Sequence, residues 1–354
     1  MFERVAEEFA NNFASRGEVG AAFAAVRGGE LVVDLWGGIA DPATGRPWER
    51  DTMQLALSGA KGLVSACVLL LIQRNAIELE APVARYWPEF AGNGKSHVTV
   101  AQVMSHQARL PGIARPVPRQ QAIDPILMAQ QLAEQAPETD PRAEFVYHGL
   151  TFGWLAAEII RRVDGRDVGT LFAQEFAGPL GLDLWLGVPP EHHDRIAAVH
   201  FAPDWPAQGP PEGDKLLESF VIPRIGHEER PVHLNSAAFR SSLSPANGAI
   251  GTARSFALFY GRLGEILRPE IVELGRTALR TGRNTLDGQP MSIGVGFQLE
   301  TGDPVLPDWF GHNGLGGSTH GMWPSRDTAF SYLPNCLALD RREKCCRPLL
   351  VALN

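Results

Sequence analysis

The chain has 354 residues and a net charge of −8 at pH 7, with 44% hydrophobic and 20% charged residues. This length is enough for two domains or two lobes around a sizeable core. The composition is that of a soluble globular protein, and the acidic balance argues against nucleic acid or an anionic membrane surface as a partner.

The first segment, "MFERVAEEFANNFASRG", predicts an amphipathic helix. Phe2, Val5, Phe9 and Phe13 follow the spacing of one helix face, and acidic residues stand where a signal peptide would carry basic ones. The apolar run "LVSACVLLLIQ" is too short to span a membrane and indicates a buried helix.

The four cysteines are scattered along the chain without the spacing of a metal site. Cys67 lies in the apolar run, which favours a buried free thiol. We therefore expect a reducing, cytoplasmic environment.

Strand signals concentrate near both ends of the chain. "GAAFAAVRGGELVVDLWGGIAD" predicts a hairpin with a Gly-Gly turn, and an apolar helix follows from about Ser58 to Gln73. Strand patterns return at "SIGVGFQLE", "DWFGH", "GSTHGMWPS" and "TAFSYLPN", and a short helix is expected over 341–353.

The middle of the chain, about 63–284, is predicted to be mostly helical. "TVAQVMSH", "TFGWLAAEIIRRVDG" and "TARSFALFYGRLGEIL" have a period near 3.6, whereas "PDWPAQGPPEGDK" at 203–215 predicts irregular structure. These patterns predict an α/β fold of the α+β type, with an antiparallel sheet, terminal helices and an inserted helical lobe. We expect residues 1–62 and 285–354 to form the α/β lobe and 63–284 the helical lobe. The cleft between them is the expected active site.

The stretch "LALSGAKGLV" places Ser58 and Lys61 one helical turn apart. At a helix start, the backbone N–H of Ser58 would be free to stabilise an oxyanion. Apolar surroundings would lower the pKa of Lys61, and a neutral amine could take the proton of the serine hydroxyl. The simpler interpretation is an N-cap serine and a solvated lysine, but burying a lysine in this apolar run is costly without a function.

Two further stretches strengthen this hypothesis. "FVYHGLTFGWLAAEII" places Tyr147 in a loop before a helix, and "WFGHNGLGGSTHGMW" places His312-Asn313-Gly314 between strand patterns. In this chain order the motifs resemble those of serine β-lactamases and penicillin-binding proteins. Together with "VMSH…LPG" and "NGAIGTARSFALFYGRL", they are most similar to family VIII carboxylesterases over about 15–335.

The resemblance implies Ser58 as nucleophile, Lys61 as base and Tyr147 as a second acid/base that protonates the leaving group. It also implies that the backbone N–H groups of Ser58 and Leu315 form the oxyanion hole. Gly314 would let the strand approach the substrate closely.

The sequence departs from the lactamase pattern at three positions. Gly149 replaces an asparagine, and His312-Asn313 replaces the Lys-Thr pair that binds the β-lactam carboxylate. These changes favour esters and leave acyl-enzyme chemistry possible. His312, Asn313, Gly314 and Gly149 are therefore expected to contact substrate.

Other candidates carry simpler interpretations. Ser105-His106 is expected to cap a helix, His148 to lie at the surface or behind the site, and Gln107 to reach the cleft as a further substrate contact. The absence of G-x-S-x-G argues against an α/β-hydrolase, and Ser318 in "GGSTH" is expected to be a turn residue. We expect no metal at His192-His193-Asp194 and no cofactor.

The sequence thus predicts a serine hydrolase that cleaves small-molecule carboxylic esters, with short acyl chains, and that could form a homo-oligomer. The alternatives are a β-lactamase, a D-amino-peptide hydrolase, an acyltransferase, or a sensor or scaffold that is acylated without turnover. The proline-rich segment 203–224 is expected to overhang the cleft.

Overall fold

The computed structural model describes residues 2–115, 117–203, 205, 233–285 and 287–354. The expected overhang at 203–224 lies, apart from residues 203 and 205, outside the described residues.

The helices are α1 (Glu3–Ser15), α2 (Ala60–Gln73), α3 (Val100–Met104), α4 (Arg119–Ala122), α5 (Pro125–Glu134), α6 (Thr151–Asp164), α7 (Val168–Phe172), α8 (Ala237–Ser241), α9 (Ala253–Gly261), α10 (Pro269–Arg276) and α11 (Arg347–Leu353). The strands are β1 (Gly20–Arg27), β2 (Glu30–Asp41), β3 (Arg46–Pro47), β4 (Gln54–Leu55), β5 (Leu184–Leu186), β6 (His200–Phe201), β7 (Ala249–Gly251), β8 (Arg280–Arg283), β9 (Pro290–Ile293), β10 (Gln298–Leu299), β11 (Phe310–Asn313), β12 (Thr319–Trp323), β13 (Thr328–Pro334) and β14 (Cys336–Leu337).

A nine-stranded antiparallel sheet in the described structure joins the two ends of the chain. Its strand order is β3-β2-β1-β13-β12-β11-β10-β9-β8. The predicted hairpin is present, and its turn uses Gly28 and Gly29 at φ values of 60° and 77°, which glycine adopts readily. β1 then pairs with β13, with Phe23 opposite Tyr332. The expected assembly of the sheet from both termini is therefore confirmed.

The first strand shows why the sheet carries a layer on each face. Odd-numbered residues 21–25 of β1 pack with α1 and α11, whereas even-numbered residues 22–26 join the core that contains α2. The predicted closing helix is present as a wide turn at Arg342–Cys346 that continues into α11. All four cysteines are buried, and Cys67 is a free thiol, as expected.

Helix α2 passes through the centre of the main core. Residues from Ala60 to Leu71 are all buried, because the helix is apolar on every side and is enclosed by neighbours such as α6 and α10. The helix begins two residues later than expected: Leu57–Gly59 forms a 3₁₀ turn instead. Within the described residues, no helix has both the length and the apolar character needed to cross a membrane.

Two details of the strand predictions need correction. "SIGVGFQLE" contains two strands, β9 and β10, rather than one, and a turn at 294–297 separates them. β8 joins the main sheet at its edge and lies before the expected lobe boundary at 285. The middle section also contributes short strands, in a small sheet of order β4-β7-β5. The division into two lobes stays a prediction.

The close approach of α6 to the loop at Pro245 and Ala246 yields a stability prediction. A Cβ on Gly153 would overlap the Ala246 backbone nitrogen and lie 2.7 Å from the Pro245 carbonyl carbon. We expect Gly153→Ala to lower the free energy of unfolding by about 1–3 kcal/mol, because backbone overlap outweighs the gain in helix propensity. Gly264→Ala, whose Cβ would meet none of the described residues within 4 Å, is the control and should change stability by less than about 0.5 kcal/mol. Equal urea midpoints for the two variants would contradict this packing.

Candidate active site

Ser58 lies in the 3₁₀ turn between β4 and α2, one residue after a strained position. Leu57 has a φ of 48°, in the left-handed region that residues other than glycine rarely adopt. Such strain persists only where the surrounding structure imposes it, and it is concentrated at functional sites. The serine is thus presented before the helix rather than at its first residue, which corrects the sequence expectation.

Lys61 is fully buried and its ammonium position has three oxygen neighbours. Its Nζ lies 3.1 Å from Ser58 Oγ, 2.7 Å from the Gly149 carbonyl oxygen and 2.9 Å from the Ala246 carbonyl oxygen. Loss of hydration lowers the pKa of Lys61 to about 7, because burial disfavours the charged form. The neutral amine is therefore substantially populated at neutral pH.

The two carbonyl groups determine where the lone pair of neutral Lys61 points. A carbonyl oxygen can only accept a hydrogen bond, so the two N–H bonds of the neutral amine are directed at Gly149 and Ala246. The remaining direction, toward Ser58 Oγ, is then left for the nitrogen lone pair. This is the arrangement of a nucleophile beside a general base.

Tyr147 lies in the loop that precedes α6, as predicted. Its hydroxyl faces Ser58 and lies 3.5 Å from His312 Nε2, and Lys61 Nζ is 5.0 Å from the centre of its ring. Its backbone N–H donates to Asn284 Oδ1 at 3.1 Å. Burial raises the pKa of Tyr147, so the group is a neutral phenol that can pass a proton on.

His312 is fully buried in β11 and its tautomer follows from its contacts. Nδ1 lies 2.7 Å from the Asn313 carbonyl oxygen, which can only accept, so the proton of the neutral ring is on Nδ1. Nε2 is then an acceptor that faces the Tyr147 hydroxyl. Burial, with the nearby Lys61, holds the pKa of His312 well below its usual value, so this position carries no positive charge at neutral pH.

The loop after β11 lies directly against the turn that carries the serine. A Cβ on Gly314 would overlap the Ala56 carbonyl oxygen, so only glycine allows this approach. Ser318 Oγ donates to the same carbonyl at 2.9 Å, in keeping with its expected role as a turn residue. Within the described chain, the backbone N–H groups of Ser58 and Leu315 have no hydrogen-bond acceptor, which leaves both free for an oxyanion.

The structure supports the other expected substrate contacts, those of Gly149, Asn313 and Gln107, to different degrees. A Cβ on Gly149 would meet no described residue within 4 Å, so this part of the chain leaves room for an asparagine beside Lys61. Asn313 donates its N–H to Gln298 and lines a cavity of about 300 Å³. Gln107 instead accepts a hydrogen bond from Ser105, and its contact with substrate stays a prediction.

The sequence did not reveal the side chains that hydrogen-bond to the backbone around Tyr147. Asn284 and His106 both bond to the backbone around Tyr147, and His148 is fully buried, which fits the second of its two expected positions, behind the site. The only signal was the polar "YHG" and "MSH" within apolar stretches, which does not reveal partners distant in the chain.

The family model described as Beta-lactamase matches residues 3–350 of this chain. The chain belongs to the beta-lactamase family. This beta-lactamase-family protein is 35% identical over 366 residues to the esterase/beta-lactamase LipL of Mycobacterium tuberculosis, an alignment that covers 95% of this chain and 81% of that protein.

Two crystal structures extend this similarity in three dimensions. A penicillin-binding protein homologue from Caulobacter crescentus has a TM-score of 0.87 and 32% identity, with 99% of this chain and 96% of that chain covered. A family VIII carboxylesterase has a TM-score of 0.82 and 30% identity, covering 98% and 97%. The resemblance noted in the sequence, and the fold it implied, are confirmed.

The burial of Lys61 yields a prediction for the reactivity of Ser58. With a pKa of about 7, the neutral fraction rises about tenfold between pH 6 and pH 8. The rate of Ser58 labelling by a fluorophosphonate should therefore rise about tenfold over this range and level off above it. Lys61→Arg, which cannot lose its proton, should label slowly at every pH. A flat profile in the native protein, or rapid labelling of Lys61→Arg, would contradict a neutral-amine base.

Proposed function

We propose that this protein hydrolyses small carboxylic esters, with short acyl chains, through an acyl-enzyme on Ser58. The observation that carries the proposal is the buried Lys61, whose Nζ lies 3.1 Å from Ser58 Oγ and whose pKa burial lowers to about 7. The names of the relatives support it: one is an esterase/beta-lactamase and another a family VIII carboxylesterase. The cytoplasmic location and a homo-oligomeric state stay predictions from the sequence.

In the proposed first step, neutral Lys61 takes the hydroxyl proton of Ser58 while Ser58 Oγ attacks the ester carbonyl carbon. The negative charge that develops on the carbonyl oxygen is stabilised by the N–H groups of Ser58 and Leu315. The C–O bond to the alcohol then breaks, and Tyr147 donates its hydroxyl proton to the leaving oxygen. Lys61 returns a proton to Tyr147, directly or through solvent, which restores both groups.

In the second step, water attacks the acyl-enzyme with the same groups in reversed roles. Neutral Lys61 takes one proton of the water, relayed by the Tyr147 hydroxyl, as the water oxygen attacks the acyl carbonyl carbon. The bond from that carbon to Ser58 Oγ then breaks, and protonated Lys61 returns the proton to Ser58 Oγ. The hydrogen bond that His312 Nε2 accepts from the Tyr147 hydroxyl favours the phenol and orients it.

Two features support a preference for esters over β-lactams. The neutral His312 offers no cation for the carboxylate of a β-lactam, and Gly149 offers no amide for its side chain. A lactam also keeps its amine tethered in the site after acylation, where it can block water, whereas the alcohol of an ester diffuses away.

The first test of this proposal is Ser58→Ala. We expect kcat for p-nitrophenyl acetate or butyrate to fall by at least about 10³-fold, because the covalent step is lost. The fold should be intact by circular dichroism. Ser325→Ala, at an exposed serine bonded to Asp308, is the control and should keep normal activity.

Mass spectrometry after fluorophosphonate treatment gives an independent reading of the same proposal. The label should be on Ser58 alone. Labelling of Ser318, or near-normal esterase activity in Ser58→Ala, would remove Ser58 as the nucleophile. A burst of one alcohol per protein without steady turnover would indicate the acylated sensor.

The second test compares ester and lactam turnover by kcat/KM at one pH. We expect the short ester to exceed nitrocefin. Installing the lactamase groups with His312→Lys and Asn313→Thr should raise lactam acylation relative to ester cleavage by about 10- to 150-fold, the value of one charge-assisted hydrogen bond.

Gly149→Asn is a second route to the same change. No described residue lies within 4 Å of the added Cβ, so this variant should fold normally and should also favour the lactam. If kcat/KM of the native protein for nitrocefin equals or exceeds its kcat/KM for the short ester, the protein is a β-lactamase instead.

A further inference from the structure

The side chains of two buried histidines, His106 and His148, hydrogen-bond to the backbone on both sides of Tyr147. His106 Nδ1 accepts the N–H of His148 at 3.1 Å. His148 Nδ1 lies 2.6 Å from the Val146 carbonyl oxygen, and its Nε2 accepts the N–H of Leu110 at 3.1 Å. The chain immediately before and after Tyr147 is therefore held by side chains rather than by a regular strand or helix.

His106 also contacts the Tyr147 side chain directly. The centres of the two rings are 4.8 Å apart, and the ring of Phe152 lies 5.1 Å from that of His106. His106 thus packs between the core and the phenol ring whose hydroxyl reaches Ser58 and His312.

His106 keeps this position at a cost to stability. Because Nδ1 accepts a hydrogen bond, the neutral ring carries its proton on Nε2, and this buried N–H has no acceptor within the described chain. Its backbone has a φ of 62°, in the left-handed region. An unpaired buried donor and a strained backbone at one residue indicate a constraint that folding alone does not explain.

We propose that His106 is a positioning residue that holds the Tyr147 hydroxyl at Ser58, through its ring contact and its hydrogen bond to the His148 backbone. The inference rests on the proposed proton transfer by Tyr147. The ring must stay neutral for this role, since a second proton on Nδ1 would oppose the N–H of His148. Burial and the nearby Lys61 both disfavour that proton.

The test is a double-mutant cycle between His106→Asn and Tyr147→Phe. Asparagine tolerates the left-handed backbone and can still accept the N–H of His148, but it removes the ring that contacts Tyr147. The measured quantity is the acylation rate with p-nitrophenyl acetate, together with KM and the thermal unfolding midpoint of each variant.

We expect His106→Asn to lower the acylation rate by about 10- to 100-fold with little change in KM, because the hydroxyl loses its alignment. In the Tyr147→Phe background, which has no hydroxyl to align, the same change should cost less than about 3-fold. An equal loss in both backgrounds, or no loss in the native one, would overturn the inference. If Tyr147→Phe alone has no effect, the proposed proton transfer fails instead.

Phe172→Leu is the matched control, since Phe172 is a buried aromatic residue that packs against Phe176 and Phe259, away from Tyr147. Its effect should be additive with that of Tyr147→Phe. If His106→Asn does not fold, His106→Phe carries the same cycle: it keeps a ring against Tyr147 and loses the hydrogen bond to His148. The same coupling is expected, and additive losses would again overturn the inference.

Discussion

The candidate site depends on one physical constraint: Lys61 is buried, and no acidic side chain among the described residues pairs with it. Because two carbonyl groups and a hydroxyl are all that offset the desolvation of its ammonium group in the described part of the chain, its proton is loosely held near neutral pH. A nearby carboxylate would reverse this effect and fix the positive charge. Helix α2 provides the apolar environment, so the feature that stabilises the fold also leaves the lysine uncharged and able to accept a proton near neutral pH.

The other groups of the site reach Lys61 from distant parts of the chain. The carbonyl groups of Gly149 and Ala246 lie 88 and 185 residues further along, and the loop at Gly314 packs on Ala56. The main sheet makes this possible because its strands come from both chain ends, which places the turn after β11 against the turn before α2. Gly153, which allows α6 to approach Ala246, belongs to the same construction.

Much of this could be predicted from the sequence where the signal is local. The hairpin β1–β2, the closing helix, and the pair Ser58 and Lys61 follow from periodicity and spacing. The 3₁₀ turn at Ser58 and the split between β9 and β10 could not, because tertiary contacts override the local pattern there. The partners of Lys61 are backbone carbonyls, which have no sequence signature, and the contact between His106 and Tyr147 joins residues that only the fold brings together.

The central claim, that Lys61 is a neutral amine near pH 7, can be measured directly because the chain contains only four lysines. Carbon-13 NMR of protein labelled at lysine Cε should resolve their titrations, and Lys61→Arg identifies the signal of Lys61 by its loss. We expect this signal to titrate near pH 7. Titration of the Lys61 signal at the ordinary lysine value of about 10.4 would contradict it.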